Sequence, residues 1–260
     1  MRKYPEFFKN FFQKLFLCIR ERRLPWRVEN FLVPIKVFPL IIFHSYTWKY
    51  AVIWLRSLRY RHSAFSEKIP WINFKAITWL ESYLKPGMSV FEYGSGGSTV
   101  FIAGRVKSLV SVEHDRAWYI RIKELLAAER VSNAEPLLFE PEKIATQPMT
   151  SYGCDSYAST VLPGLSFEKY VKSIEAYPDK SFDLVFIDGR ARASCIKHAI
   201  KKVRDAGYIM VDNSERQIYN EAFVLLADYK RQNFIGFGPG STDLCRTSIW
   251  QLKKDETKND

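Results

Sequence analysis

The fold is decided by one stretch of the chain, Val90-Phe91-Glu92-Tyr93-Gly94-Ser95-Gly96-Gly97-Ser98-Thr99. An apolar run ends in an acidic residue, small residues follow, and the pattern then becomes helical at Val100. This order predicts a buried strand that passes through a glycine-rich turn into a helix. Glycines let the backbone approach a ligand closely, and a helix N-terminus offers unpaired N–H groups. The stretch therefore predicts a cradle for a cofactor.

Strand and helix patterns alternate on both sides of this turn. The predicted strands before helical segments are Ser89–Tyr93, Ser108–Glu113, Pro136–Phe139, Phe182–Asp188 and Gly207–Asp212. Repeated strand–helix units predict a parallel sheet with helices on both faces. The last two strands, Phe234–Phe237 and Thr247–Leu252, have no helix between them and predict an antiparallel addition at one edge. The predicted fold class is α/β, a doubly wound seven-stranded sheet with an antiparallel terminal strand.

The chain divides by charge as well as by pattern. Residues 1–62 carry 13 Lys and Arg against three Glu, a net charge of +10, whereas the rest carries 26 basic and 25 acidic residues. We predict a basic, aromatic, mainly helical extension over residues 1–68, a cofactor-binding domain over residues 69–252 and a disordered tail over residues 253–260. The near-neutral domain argues against a nucleic-acid groove over the cofactor site.

The extension contains an amphipathic pattern at helical spacing: Phe8, Phe11, Phe12, Leu15 and Phe16. Two interpretations stay open: its helices cap the domain or pack on a second subunit, or residues 1–62 lie on an anionic membrane surface. Prolines and a lysine interrupt the most apolar run, residues 31–43, so no membrane-spanning helix is predicted. Four scattered cysteines without zinc spacing indicate a reduced compartment. We therefore expect a cytoplasmic protein, with peripheral contact at the inner membrane face as the alternative.

Acidic residues follow the strands at the edge where ligands of such sheets bind. Glu113 ends the second strand, 19 residues past Gly94, where a carboxylate can accept both hydroxyls of a ribose. Asp115 is better placed to cap the next helix, which leaves Glu113 free. We expect His114 to line the same pocket. Glu140, after the third strand, either faces an adenine amino group or is a solvated loop carboxylate.

The fourth and fifth strands end in oxygen-bearing side chains. Asp188 follows the fourth strand, and Asp212 with Asn213 follows the fifth. Three such oxygens on adjacent strand ends suit Mg²⁺, which keeps its other positions for water and substrate. The alternative is that Asn213 caps the following helix. Asp188 is predicted to act as metal ligand or as proton acceptor.

Residues 69–252 resemble a class I S-adenosylmethionine-dependent methyltransferase with a Rossmann-like fold. The resemblance depends on the glycine turn, Glu113, the fourth strand with Asp188, and the closing β pair. It implies S-adenosylmethionine as cofactor, held by Glu92, Tyr93, Gly94, Ser95, Gly96, Ser98, Thr99, Glu113, His114, Glu140 and Asp188. Ser98 stands where many members have glycine.

Asp188 with Asp212 and Asn213 also resembles the catechol-type, cation-dependent O-methyltransferases. That resemblance implies a divalent ion on these three residues, with catalytic roles for Asp188 and Asp212. The family's lysine base falls at Ala191, flanked here by Arg190 and Arg192. Arginine does not deprotonate in proteins and is a poor base, so these two arginines are predicted instead to bind an anionic substrate.

The resemblance implies methyl transfer to an acceptor, with a hydroxyl oxygen expected on a small molecule or a glycan- or lipid-linked compound. The insert Glu140–Gly164 either forms part of the substrate wall or is a surface loop. A second hypothesis is an NAD(P)-dependent oxidoreductase. Thr99, in place of the third glycine of the dinucleotide fingerprint, counts against it. A third is a non-catalytic membrane-associated protein, against which the retained acids of the cleft count.

Overall fold

A computed structural model describes Trp54, Ser57 and residues 65–144, 152–241 and 244–253. The chain separates into two compact units, Met1–Arg59 and Tyr60–Asp260. In the first unit Trp54 and Ser57 are helical. The residues of the predicted amphipathic helix lie outside those described, as do nearly all residues of the predicted tail. The membrane-surface hypothesis also concerns residues that are not described. None of the helices in the described part of the chain has the length and apolar character needed to cross a membrane.

The second unit is built on one large sheet. Its strands and a short side hairpin are β1 Ser89–Tyr93, β2 Ser108–Glu113, β3 Ala134–Leu138, β4 Glu142–Lys143, β5 Leu165–Ser166, β6 Phe182–Ile187, β7 Val203–Val211, β8 Lys230–Gly236 and β9 Cys245–Gln251. The seven-stranded sheet has the order β3-β2-β1-β6-β7-β9-β8. Neighbours from β3 to β7 are parallel, and β9 is antiparallel to both β7 and β8. The predicted sheet is confirmed.

The two middle strands, β1 and β6, form the core of the sheet. Phe91 in β1 and Val185 in β6 are fully buried and pair directly in register. The Phe91 ring lies 5.3 Å from the Phe182 ring, centroid to centroid. Strands covered on both faces read as continuous apolar runs. The core therefore holds the ends of β1 and β6 side by side, where the glycine turn and Asp188 emerge.

Helices cover the sheet and position the strand exits. They are α1 Phe74–Tyr83, α2 Gly97–Ala103, α3 Arg116–Ala128, α4 Glu168–Lys172, α5 Arg192–Ala199 and α6 Asn220–Val224, with 3₁₀ turns at Ser173–Ala176, Ile200–Lys202 and Gln217–Tyr219. The predicted cap of α3 is confirmed, because Asp115 Oδ1 accepts the Trp118 backbone N–H at 2.8 Å. This side-chain cap satisfies a donor that the helix leaves unpaired.

Two elements differ from the prediction. β7 begins at Val203, because Val203 pairs with Phe182 and pairing then resumes at Tyr208 after an irregularity. Ala206 within it has φ +62°, so the chain kinks before the regular strand. The predicted helix Gln217–Tyr229 is shorter, since Leu225, Leu226 and Ala227 donate to carbonyls three residues back and form turns.

The structure describes residues 140–144 and 152–164 of the insert Glu140–Gly164. Near its start β4 pairs antiparallel with β5, which directly follows the insert. Tyr157 lies against His198, with 5.8 Å between ring centroids, and its backbone N–H donates to Ser194 Oγ. Tyr157 therefore attaches the insert to α5. Residues 145–151 of the insert lie outside the described residues, so their predicted place in the substrate wall stays a prediction.

Candidate functional site

The turn after β1 is shaped by contact between two backbones. Gly94 has φ +95°, in the left-handed region that side chains disfavour. A Cβ atom added to Gly94 would lie 2.8 Å from both Cα and N of Gly189, which follows β6. The turns after β1 and β6 therefore touch directly, and only glycine fits at the contact.

A buried hydrogen-bond network supports this turn from below. Thr99 Oγ1 accepts the Gly96 N–H at 2.9 Å and donates to Glu92 Oε2 at 2.7 Å. Ser111 Oγ donates to the same oxygen at 2.5 Å. Burial raises the pKa of Glu92 to about 7, although hydrogen bonds from Ser111, Ser98 and Thr99 oppose the shift. The network ties the turn to β2.

Three residues predicted to touch the cofactor serve instead as support. Glu92, Tyr93 and Thr99 are fully buried and do not line the cavity described below. The Tyr93 hydroxyl donates to the Val171 carbonyl oxygen at 2.6 Å, within the core. Side chains alternate across a strand, and the cofactor cradle here is made by the turn rather than by the strand that leads to it. Their assignment as direct cofactor ligands is corrected.

A cavity of about 440 Å³ opens above the turn. The predicted residues that line it are Gly94, Ser95, Gly96, Ser98, Glu113, His114, Asp188, Arg190 and Arg192. The glycine turn, the acid after the second predicted strand and the acid after the fourth therefore lie at one site, at the edge of the sheet where these strands end. Such a volume is typical of a small-molecule pocket.

Glu113 is held in place by backbone donors. Its Oε1 accepts the N–H groups of His114 at 2.7 Å and Asp115 at 2.9 Å, and its Oε2 accepts that of Ser95 at 3.2 Å. Each carboxylate oxygen offers about two lone-pair positions, so Oε2 retains acceptor capacity for a ligand hydroxyl. The carboxylate is therefore fixed against the turn and still able to bind.

Aromatic side chains form a wall that the sequence pattern did not reveal. Trp118, Trp71 and Phe65 line the cavity. Trp118 Nε1 donates to the Ser95 carbonyl oxygen at 2.7 Å, and its ring lies 5.1 Å from Phe65. The signal for Trp118 was present, since it lies in the first turn of the helix after β2, beside the predicted ribose acid.

Glu140 does not face the cavity. Its carboxylate pairs with the Arg116 guanidinium, at 3.2 Å from Nε and 2.5 Å from Nη2, and both side chains are about half exposed or more. Its assignment to the adenine is therefore corrected, and the solvated-carboxylate alternative describes it. Arg116, in the first turn of α3, provides a cation with which this carboxylate pairs at the protein surface.

Arg192 is a buried tie between two strand ends. Its Nε donates to the Gly189 carbonyl oxygen at 3.0 Å, Nη2 to that of Asp188 at 3.1 Å, and Nη1 to that of Asp212. Nη2 also lies 3.0 Å from Asp188 Oδ1. Each of the three guanidinium nitrogens donates to an acceptor of the protein itself. The prediction that Arg192 binds substrate is therefore corrected.

The carboxylates beside Arg192 are electrostatically coupled to it. Burial raises the pKa of both Asp188 and Asp212, and the Arg192 guanidinium opposes the shift at each. Asp212 Oδ1 also accepts a hydrogen bond from Thr247 Oγ1 at 2.5 Å. Asp188 lines the cavity, whereas Asp212 is 2 % exposed and lines neither of the cavities described. Of the two predicted catalytic acids, Asp188 alone reaches the site.

The predicted metal ligands do not fit a metal ion. The cation between Asp188 and Asp212 is Arg192, whose Nη1 lies 4.0 Å from Asp212 Oδ2. Asn213 sits in a left-handed turn with φ +49° and lines neither cavity. Within the described ranges, no group of three His, Cys, Asp or Glu side chains could hold a metal ion. The Mg²⁺ hypothesis is therefore not carried forward.

The comparisons with known proteins bear on the fold. No family model matches the chain, and no curated protein matches it. A putative O-methyltransferase structure from Klebsiella pneumoniae has 16% sequence identity and a TM-score of 0.51, with 76% of this chain and 85% of that chain covered. The chain has the Rossmann-like methyltransferase fold.

Other solved structures match less closely in shape. A putative methyltransferase from Streptococcus mutans in complex with SAH has a TM-score of 0.45 and 11% identity, over 67% of this chain and 94% of that one. An rRNA methylase from Streptococcus thermophilus has a TM-score of 0.47 and 10% identity, over 68% and 93%. Identities this low give no information about the reaction, which depends on the residues of the site.

Proposed function

We propose that the protein transfers a methyl group from S-adenosylmethionine to a hydroxyl oxygen of an acceptor. One observation supports the proposal most strongly. A single cavity is lined by the glycine turn at Gly94, the fixed carboxylate of Glu113 and the carboxylate of Asp188. A cofactor cradle, a ribose acceptor and a proton acceptor are the parts that this reaction needs from a protein.

The residues present fit the cofactor. A Cβ atom added to Gly96 would meet only Ser98, with the nearest atom 3.6 Å away, so the backbone here is open to a ligand. Glu113 offers Oε2 to ribose hydroxyls, and Trp118 offers an aromatic face suited to an adenine ring. Because Trp118 is tied to Ser95, the aromatic wall and the turn keep a fixed distance.

The protein's chemical task in such a reaction is small. S-adenosylmethionine, when bound, supplies a methyl group already activated by its sulfonium. Asp188 is proposed to accept the proton of the attacking hydroxyl, and a raised pKa makes its carboxylate a stronger base. The role of Arg192 is to hold the Asp188 backbone and one carboxylate oxygen in place. A pre-positioned base contributes about 10²–10⁴-fold to such a rate.

The acceptor class remains part of the proposal. We favour a small molecule or a glycan- or lipid-linked acceptor over a nucleic acid, because the chain after residue 62 carries nearly equal numbers of basic and acidic residues. A nucleic-acid site takes much of its affinity from a concentration of positive charge. The basic residues 1–62 are proposed as a contact for anionic lipid rather than as part of the catalytic cavity.

The reaction is tested by S-adenosylhomocysteine formation. The full chain is incubated with S-adenosylmethionine and a low-mass metabolite extract, and product is measured by mass spectrometry for the wild type and Asp188→Asn. We expect extract-dependent product from the wild type and a rate lower by about 10²-fold or more in the variant. S-adenosylhomocysteine binding, measured in parallel, should change little.

Two results would count against the proposal. Equal rates for the wild type and Asp188→Asn would remove Asp188 as the proton acceptor. Product that forms on a nitrogen or carbon atom of the methylated compound, identified by fragmentation, would contradict the oxygen acceptor. Ser82→Ala, on an exposed face of α1, provides a control variant outside both cavities.

A further inference from the structure

A second recess adjoins the cofactor cavity. It measures about 30 Å³ and shares Gly189, Arg190 and Arg192 with that cavity. Residues from separate segments complete its wall: Tyr152, Ser159, Thr160, Arg216 and Tyr219. We call these residues, with the shared ones, the polar recess. A volume of this size accommodates one small polar group rather than a whole acceptor molecule.

Two cations in the polar recess have no carboxylate partner in the part of the chain that the structure describes. The Arg216 side chain is exposed and makes no hydrogen bond or ion pair with any residue that the structure describes. Arg190 makes one long contact, 3.5 Å from its Nε to Nε2 of His114. By contrast, the Arg192 guanidinium donates hydrogen bonds to three backbone carbonyl oxygens. The recess therefore presents two guanidinium groups that are free to bind a ligand.

A tyrosine hydroxyl adds a neutral donor to the two cations. Tyr219 lines the polar recess, and its side-chain hydroxyl makes no hydrogen bond with any described residue. A phenolic hydroxyl can donate to a ligand oxygen. A ligand in the recess could therefore accept a hydrogen bond from Tyr219 as well as from the guanidinium groups.

The polar recess is also electrostatically linked to the reactive carboxylate. The positive charge of Arg216 lowers the pKa of Asp188, against the larger raising effect of burial. Gly189 and Arg190, which directly follow Asp188 in the chain, line both the polar recess and the cofactor cavity. If the anionic group of an acceptor binds at Arg216, the adjoining part of the acceptor would lie next to Asp188, at the edge of the cofactor cavity.

We propose that the polar recess binds an anionic group of the methyl acceptor, a phosphate or a carboxylate, through Arg190, Arg216 and the Tyr219 hydroxyl. The guanidinium fork matches the oxygens of both groups, and charge-assisted hydrogen bonds are stronger than neutral ones. This inference rests on the proposed function, because it names the class of acceptor. The anion is the anchor, and the acceptor hydroxyl next to it is presented to Asp188.

The test separates the recess from the cofactor cavity. The full chain, saturated with S-adenosylhomocysteine, is titrated calorimetrically with inorganic phosphate and, separately, with acetate. We expect saturable binding of at least one anion at one site per chain, weakened about tenfold or more in Arg216→Ala. Arg216→Gln should behave like Arg216→Ala, and Tyr219→Phe should weaken binding by roughly threefold or more.

A matched control removes one positive charge elsewhere. Lys201 is exposed at the far end of the helical segment that begins at Arg192 and lines neither cavity. Lys201→Ala should bind the anion within about twofold of the wild type. Arg216 lines the polar recess alone, so affinity for S-adenosylhomocysteine should be the same in Arg216→Ala as in the wild type.

The outcomes are distinguishable. Tighter binding of phosphate than of acetate assigns a phosphorylated acceptor, and the reverse order assigns a carboxylate. Equal anion binding in the wild type and Arg216→Ala, or no binding of either anion to the loaded protein, overturns the inference while the proposed function stands. Failure of the wild type to bind S-adenosylhomocysteine at all overturns the proposed function and this inference together.

Discussion

Two acids in neighbouring strands, Glu92 in β1 and Glu113 at the end of β2, perform different tasks because of their surroundings. Glu92 is fully buried, with Thr99 and Ser111 donating to one oxygen, and the other oxygen has no hydrogen bond among the described residues. Glu113 accepts backbone N–H groups and lines the cavity. A buried carboxylate with few donors favours its neutral form, which suits the supporting position of Glu92, whereas the fixed Glu113 carboxylate remains open to a ligand.

The pKa of Glu92 makes stability depend on pH. Burial raises it from 4.5 to about 7 in the folded protein. Between these values the folded state binds the proton more tightly than the unfolded state, so the free energy of unfolding falls as pH rises through this window. We expect wild type to lose roughly 2–3 kcal/mol relative to Glu92→Gln between about pH 5 and about pH 8. Urea denaturation at both pH values measures it, and a constant difference would contradict the raised pKa.

Truncation to alanine should destabilise the protein strongly at Arg192 and only slightly at Arg190. Arg192→Ala leaves two buried carboxylates without their cation and three carbonyls without a donor. We expect a loss of about 3–5 kcal/mol in the free energy of unfolding, as for other broken buried pairs. Arg190→Ala should change stability by less than about 1 kcal/mol, because its guanidinium has no ion pair among the described residues. Equal effects in chemical denaturation would show that Arg192 is not a structural tie.

At this scale the sequence separates residue types but not their partners. Glu113 and Asp188 were predicted because acids at strand exits face the ligand edge of the sheet. Arg190 and Arg192 looked equivalent in the sequence. They differ because Ala191 between them has a left-handed backbone, and the Arg192 guanidinium lies against the turn after β6. Arg216 reaches the polar recess from the segment after β7, so no local pattern pairs it with Arg190.

At the scale of elements, the contact between the turns after β1 and β6 keeps the halves of the site together. Tyr170 presses on it from below, since a Cβ atom added to Gly189 would lie 1.9 Å from its hydroxyl oxygen. Backbone on one side and a buried ring on the other leave no room for relaxation. The glycine turn and Asp188 are therefore fixed relative to each other before any ligand binds.

The closeness of these turns predicts the effect of a single methyl group. Gly94→Ala places Cβ 2.8 Å from the Gly189 backbone at a φ that side chains disfavour. We expect a loss of about 2–4 kcal/mol in the free energy of unfolding. Gly87→Ala is the control, because a Cβ there meets nothing within 4 Å; it should be neutral or stabilising by up to about 1 kcal/mol. Similar urea midpoints for the two variants would contradict the contact.

The sequence predicts elements well where one pattern dominates. β1 and β6 lie where continuous apolar runs placed them, because both strands are covered on both faces. The start of β7 was missed, since Arg204 and Asp205 are exposed at an irregularity and carry no apolar signal. The helix after Gln217 was predicted too long because the apolar residues in its second half pack in successive turns instead.

At the scale of the whole molecule, the charge of residues 1–62 has a testable consequence. A net charge of +10 among many aromatic residues favours an anionic lipid surface. We expect the full chain to sediment with vesicles of phosphatidylserine and phosphatidylcholine, to be released by about 0.5 M salt, and to leave pure phosphatidylcholine vesicles unbound. Salt-insensitive binding, or none, would contradict the membrane hypothesis for this segment.

The fold as a whole does not identify the acceptor. The antiparallel pair of β8 and β9 beside β7 is the addition that two terminal strands without an intervening helix predicted, and the solved methyltransferase structure shares the fold. The acceptor depends on loops drawn from the insert and from the segment after β7. Their meeting is set by tertiary packing, which no single stretch of sequence encodes.

We propose that the cavity above Gly94 and beside Glu113 binds S-adenosylmethionine. Calorimetric titration of the full chain with S-adenosylhomocysteine, and separately with NAD, tests it most directly. We predict one S-adenosylhomocysteine site per chain, weakened about tenfold or more in Glu113→Ala, and no binding of NAD. Binding of NAD without S-adenosylhomocysteine would contradict the claim and favour an oxidoreductase.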